Sequence, residues 1–269
     1  MVFKDILYNY KIMNNKTIIS FLTKEPNDGL INIAKELCNY FKVYVFIDNN
    51  DYINIYKNTK INFIQINNEL CITNGYQYTL EISLYNSYNK INTDKRISSY
   101  DKFFFYFTMV NLDYDYIWIF EDDVFIPHIN NIIDLNNKCY DYDLVCADNK
   151  KGTNEDAKNN IWFWRYAISI FNEPSYCSMV CTCRLSNKLM IEIKKTIEQL
   201  KFIPFLEFLY NTVAYKNNLK ILCPSELSTI LYRKDWSIED FKENPKNLFH
   251  PIKDYNIHEI YRKELNNIY

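Results

Sequence analysis

The feature that most restricts the fold is a set of near-continuous apolar runs: TIISFLTKEP (Thr17 to Pro26), which ends in turn chemistry, KVYVFIDNN (Lys42 to Asn50), and the YIWIF of DYIWIFEDD. A strand with one wet face alternates apolar and polar residues; these runs do not, so both of their faces must be covered. The cover is legible between them. DGLINIAKELCNYF (Asp28 to Phe41) places Leu30, Ile33, Ala34, Leu37 and Phe41 at helical spacing behind an N-cap residue, and INFIQIN (Ile61 to Asn67) reads as a third strand. A second helix is expected over SYDKFFFYFTMVN (Ser99 to Asn111), packed on the sheet by its aromatic residues, with DYIWIFEDD following as a strand. This order predicts an α/β fold with a mixed, mainly parallel central sheet flanked by helices. At 269 residues and 48% hydrophobic, the chain can bury one large core, and residues 1–269 are read as a single domain.

The YIWIF run ends in Glu121, Asp122 and Asp123. Adjacent like charges repel, and an unpaired buried carboxylate is expensive, so the triplet either caps a strand in solvent or has a cationic partner, of which a divalent metal is the simplest. In open α/β sheets ligands bind beyond the carboxyl ends of the strands, and both FEDD and IDNN sit at such ends. Asp48 and Asn49 of IDNN can bond a base or ribose, or can serve as ordinary turn residues.

Composition excludes several alternatives. A net charge of -2 and a pI near 6.0 give no basic footprint for nucleic acid. With three glycines, Gly29, Gly75 and Gly152, neither a G-x-G-x-x-G fingerprint nor a G-x-x-x-x-G-K-[ST] loop can be written, so any bound phosphates need a metal ion and basic side chains. The eight cysteines follow no secretory signal, which points to a reducing, cytoplasmic setting. Their one tight group, CSMVCTC, lacks the second half-site of a zinc motif. No run of about 18 apolar residues suggests a transmembrane segment. The abundance of Asn, Lys, Tyr and Ile reads as the coding bias of an AT-rich microbial or viral genome.

Taken in order, SYDKFFFYF, the strand ending in EDD and the late FHPIK resemble a nucleotide-sugar glycosyltransferase of the GT-A fold, over about Thr17 to Lys253. EDD is then a variant of the Asp-x-Asp motif with Glu121 at the first position. The resemblance implies a nucleotide-sugar donor, a UDP-sugar first among the candidates, and Mn²⁺ or Mg²⁺ as cofactor. It implies Asp123 and His250 as metal ligands, Glu121 near the ribose or metal, and Asp122 as support for the turn. Lys253 and, more weakly, Lys102 are implied at the diphosphate, with Thr23, Asp48 and Asn49 in the nucleotide site. As an alternative, Lys102 is a solvated helix-surface lysine and His250 a turn residue. Residues 17–126 form the expected nucleotide-sugar lobe, and 127–255 the acceptor lobe with a C-terminal segment, Asn244 to Tyr255, that orders over the diphosphate.

The acceptor, a glycan, glycosylated protein or small molecule, is expected over the second half. NKKGTNEDAKNN (Asn149 to Asn160) reads as a mobile loop, and IWFWRYAISIF as a strand with Trp162, Trp164 and Tyr166 on one face and Phe163 and Ile168 in the core. A helix is expected from about Ser186 to Leu200. In PFLEFLYNTVAYKNN, Glu207 lies among apolar residues, a setting that raises a carboxyl pKa toward that of a general base; the alternative is a helix glutamate that faces solvent or pairs with Lys216 or Lys220. A metal-dependent phosphohydrolase would need Asp at position 121, a sugar nucleotidyltransferase a glycine-rich basic loop where LTKEPNDG stands, and an inactive carbohydrate-binding module would need neither EDD nor HPIK.

Overall fold

The computed structural model describes residues 16–57, 59–77 and 97–266. Strands β1 (Thr17–Thr23), β2 (Lys42–Ile47), β3 (Asn62–Ile64) and β4 (Tyr116–Glu121) are parallel and ordered β3-β2-β1-β4. The sheet continues through β8 (Thr182–Ser186), antiparallel to β4, to β5 (Leu144–Val145) and β9 (Ile221–Leu222). The fold is thus mixed α/β with a mainly parallel central sheet, as the apolar runs predict. The third strand is shorter than INFIQIN suggests.

All seven residues of β1 are buried. Their alternate side chains enter two different cores, which is why the run carries no polar face. Ile18, Tyr44, Phe46, Ile117 and Ile119 meet Phe103, Phe104 and Phe107 of helix α3 (Ser99–Met109), together with helices α7 (Asn187–Leu200) and α8 (Leu206–Lys216). Ile19, Phe21, Val43, Val45, Trp118 and Phe120 meet Leu30, Ile33 and Leu37 of helix α1 (Asp28–Leu37) and Ile132 and Leu135 of helix α4 (Ile129–Lys138). Burying each large side chain contributes about 1.5–3 kcal/mol, so the sheet edge that carries EDD rests on a stiff platform. Helix α2 (Asn68–Thr73) lies beside α3.

The helix starts follow local chemistry. Asn27 Oδ1 accepts the Leu30 amide at 3.0 Å, making Asn27 the cap of α1, and Ser186 Oγ accepts the Leu189 amide at 3.1 Å at the start of α7. Two segments differ from expectation. NKKGTNEDAKNN is not an unstructured loop: strand β6 (Lys150–Gly152) pairs with β7 (Ser175–Cys177), and Thr153 and Asp156 form a capping box on helix α5 (Asn154–Lys158). IWFWRYAISIF is not a strand; Trp164–Phe171 forms helix α6, because Trp164, Ala167 and Phe171 recur at helical spacing against Phe208 of α8. Gly152 is required here, since a Cβ would stand 2.0 Å from the Trp164 ring.

The chain closes with helix α9 (Ile238–Glu243) and helix α10 (Tyr255–Asn266), which packs on α1. Gly29 permits the approach: a Cβ there would lie 3.1 Å from the Tyr255 carbonyl. None of the helices among the described residues is long and apolar enough to cross a membrane.

Candidate metal and acceptor site

The EDD turn begins where β4 leaves the sheet, with Glu121 in register with Leu22. The Asp122 amide bonds the Leu22 carbonyl at 3.2 Å, and its carboxylate accepts Thr23 Oγ1 at 2.5 Å and the Tyr255 hydroxyl. Burial raises the Asp122 pKa, and these two donors pull it back. Asp122 and Thr23 therefore hold the turn together.

His250 comes to this turn from the far end of the sequence. Its segment is stitched in on two sides: Phe125 and Phe249 exchange main-chain hydrogen bonds of 2.8 and 3.1 Å, the Ile252 amide bonds the Asp123 carbonyl at 2.8 Å, and the His250 amide bonds Thr229 at 3.2 Å. Phe125, Phe241 and Phe249 lock it from below, with ring centroids 4.7 to 6.5 Å apart. HPIK is thus stitched into the packed fold beside EDD.

The imidazole has a defined orientation. Nδ1 lies 2.6 Å from the Leu231 carbonyl, which can only accept, so Nδ1 carries a hydrogen. Nε2 then faces Asp123 Oδ1 at 3.3 Å and Glu121 Oε2 at 3.7 Å. Burial alone would lower the His250 pKa; Asp123, the Leu231 carbonyl and Glu121 outweigh it and leave it raised. Asp123 Oδ1 is shielded from water yet makes no well-aligned hydrogen bond, the 3.3 Å contact being close without being directed. Glu121 Oε1 accepts the buried Tyr100 hydroxyl at 2.8 Å. Its carboxyl pKa is raised by burial and by Asp123, against Tyr100, His250 and Cys181, which lower it. Donor atoms of Glu121, Cys181 and His250 lie within 4.8 Å of one another. An orphaned carboxylate oxygen, a second carboxylate and an imidazole whose other nitrogen is fixed by a carbonyl together fit a divalent cation.

The second acidic strand end is different. Asp48 accepts the Ser99 amide at the start of α3, and Asn49 Nδ2 bonds Glu25 at 2.7 Å. Lys102 is fully buried and donates to Ile47 O at 3.0 Å, Asp48 O at 2.7 Å and Asn50 Oδ1 at 2.6 Å. The solvated-lysine alternative is overturned: three acceptors occupy its three donors. Lys253 is exposed and lines a cleft of about 610 Å³ with Tyr232, Arg233, Lys234, Asp235 and Pro251.

A larger cavity of about 840 Å³ is walled by Trp162, Phe163, Phe205, Met179, Leu231 and Tyr232, with Glu207, Asp148 and Lys150 as its charged groups. Trp162 and Phe163 face it from the turn before α6, where the Trp162 φ of 48° breaks strand geometry; Trp164 and Tyr166, not Phe163 and Ile168, are the buried pair. Glu207 stands in the first turn of α8. Burial, then the charges of Glu121 and Asp148, push its pKa up to about 7 against the opposing Lys150. Lys150, bonded to Asp148 at 2.6 Å, is the nearby cation, and Lys220 pairs instead with Asp141, so the suggested pairing with Lys216 or Lys220 is replaced.

Sequence reasoning missed Tyr100, Cys181, Leu231 and Tyr255. Tyr100 and Cys181 lie inside quoted motifs, SYDK and CSMVCTC, and antiparallel pairing of β8 with β4 is what brings Cys181 to Glu121, whose amide bonds the Cys181 carbonyl at 2.8 Å.

No protein-family model and no curated protein matches this sequence. Among solved structures the chain is similar to an active-site mutant of LgtC, at 11% identity and TM-score 0.41, covering 93% of this chain and 95% of that one. It is also similar to galactosyltransferase LgtC in complex with donor and acceptor sugar analogs, at 10% identity and TM-score 0.42, covering 92% and 95%.

Proposed function

We propose that this chain is a metal-dependent glycosyltransferase of the GT-A type, moving a sugar from a nucleotide-sugar donor to a carbohydrate or glycosylated acceptor. The observation that carries the reading is the convergence of His250 with Glu121 and Asp123 at the carboxyl edge of the parallel sheet, where ligands of α/β proteins bind. Residues 17–126 form the nucleotide lobe in this reading, and 127–255 the acceptor lobe. Asp123, His250 and Glu121 would hold Mn²⁺ or Mg²⁺, which would supply charge stabilisation for the leaving diphosphate. Lys253, on the exposed side of the same turn, adds a cation for the diphosphate, and Asp48 and Asn49 border the ribose. The acceptor lies in the cavity of Trp162, Phe163 and Phe205, whose ring faces suit a pyranose, and Glu207 takes the proton from its hydroxyl in an inverting displacement. A carboxyl with a pKa near 7 is matched to that task at neutral pH.

The test is a thermal-shift screen of UDP-, GDP-, CMP- and dTDP-sugars with and without Mn²⁺, since a ligand that binds only the folded state raises the melting point by mass action. A metal-dependent shift with one nucleotide class is expected. No shift with any of them in either condition would remove the transferase reading.

A further inference from the structure

Resting on the metal-dependent reading, we infer that Cys181 is a thiolate ligand of the site, so that the chain selects a thiophilic transition ion, Zn²⁺ or Co²⁺, over Mg²⁺. The compact donor set is Glu121, Cys181 and His250, and Asp123, close to His250, lies outside that trio. Two of the three are anchored by independent bonds that leave one donor atom turned inward. His250 is 6% exposed, with Nδ1 committed to Leu231; Glu121 has Oε1 committed to Tyr100 and Oε2 on the His250 side. Cys181 is 6% exposed, its main chain fixed by the Glu121 amide and its thiol against the Glu121 carboxylate. Asp123 Oδ1, 3.3 Å from His250 Nε2 and without a well-aligned hydrogen bond, adds a further carboxylate oxygen beside the trio.

The geometry is within reach. Zn–N distances of about 2.0–2.1 Å and Zn–S of about 2.3 Å put tetrahedral ligand atoms roughly 3.5 Å apart, so a trio within 4.8 Å closes on an ion by side-chain shifts of about 1 Å or less. Coordination exchanges the thiol proton for the ion, and the proton leaves to solvent. Mg²⁺ demands oxygen ligands in near-octahedral order, whereas a sulfur, an imidazole nitrogen and a carboxylate suit Zn²⁺ or Co²⁺. CSMVCTC carries no local zinc motif because one of its cysteines ligates, and the partners of that cysteine come from β4 and the HPIK turn.

The experiment is titration of the full chain with Co²⁺ alone, monitored by absorption, in a Cys223→Ser background that removes the exposed thiol. An intense near-ultraviolet sulfur-to-cobalt band is expected in that background and absent in Cys181→Ser and Cys181→Ala. Loss of Cys181 should weaken Co²⁺ and Zn²⁺ by at least the roughly 10- to 100-fold that loss of an outer partner costs, and leave Mg²⁺ binding unchanged. Circular dichroism checks that both variants fold, and the serine variant, nearly the size of the cysteine, keeps the test usable if the alanine variant does not. Co²⁺ binding without the band, equal with and without the thiol, would overturn the inference while leaving the metal reading intact. No binding of Co²⁺ would overturn both.

Discussion

Two acidic turns lie on the same edge of the same sheet, and the chain treats them in opposite ways. At IDNN every strong group meets a partner from within: Asp48 holds the first amide of α3, and Lys102 spends its three donors on Ile47, Asp48 and Asn50. At EDD, Asp122 is held by Thr23 and Tyr255 and Glu121 by Tyr100, while Asp123 keeps an oxygen without a well-aligned partner and His250 is aimed between two carboxylates. Equal placement and similar composition therefore do not make equal sites; the difference is whether folding alone completes the hydrogen-bond accounting. IDNN is closed by its own hydrogen bonds, and EDD leaves Asp123 and His250 facing each other.

The sharpest way to break this contrast is substitution at EDD. Asp123→Ala should take transfer to background, about 10³-fold or more, while the melting temperature holds or rises as a buried repulsion is relieved. A lowered melting temperature with unchanged specific activity of the folded variant would place Asp123 in the architecture.

Glu207→Gln keeps shape and removes basicity, so turnover should fall by about 10²- to 10³-fold with nucleotide affinity unchanged. The parent's kcat/KM should climb with pH through about 7, because the base acts when ionised, and that limb should vanish in the variant. Stability has the opposite sign: with the folded pKa above the unfolded one, the protonated form is favoured in the native state, and this contribution fades as pH rises through about 7. A pH profile with no limb near 7 would return Glu207 to the helix as scaffold.

At IDNN the expectation reverses. Lys102→Met should cost about 2–3 kcal/mol in denaturant unfolding by stranding buried carbonyls, with turnover of the folded fraction within a few-fold of the parent. Loss of nucleotide binding at unchanged stability would mean that Lys102 reaches the diphosphate after all.

The sequence made the sheet legible because β1, β2 and β4 are buried on both faces and their apolar runs have no competing explanation. It made Glu121, Asp123 and His250 legible as residue types, and only folding shows that they meet. It misled at Trp162–Phe171, where aromatic and β-branched residues fit either period and a left-handed residue at Trp162 decides the issue. It gave no role to Tyr100 or Tyr255 and set CSMVCTC aside as half a zinc motif, because Tyr100, Cys181 and Tyr255 reach the EDD turn from distant elements.

Leu231 deserves a last look as a shared wall. Its carbonyl sets the angle of the His250 ring, and the same residue lines the aromatic cavity. A ligand that pushes the Leu231 main chain outward must turn the imidazole, and an imidazole pinned by a bound ion must stiffen that side of the cavity. Were a ligand in the cavity to displace that main chain, linkage would require the effect to be equal in both directions, a reciprocity that needs no moving domain. The hinge of such communication is a single peptide group.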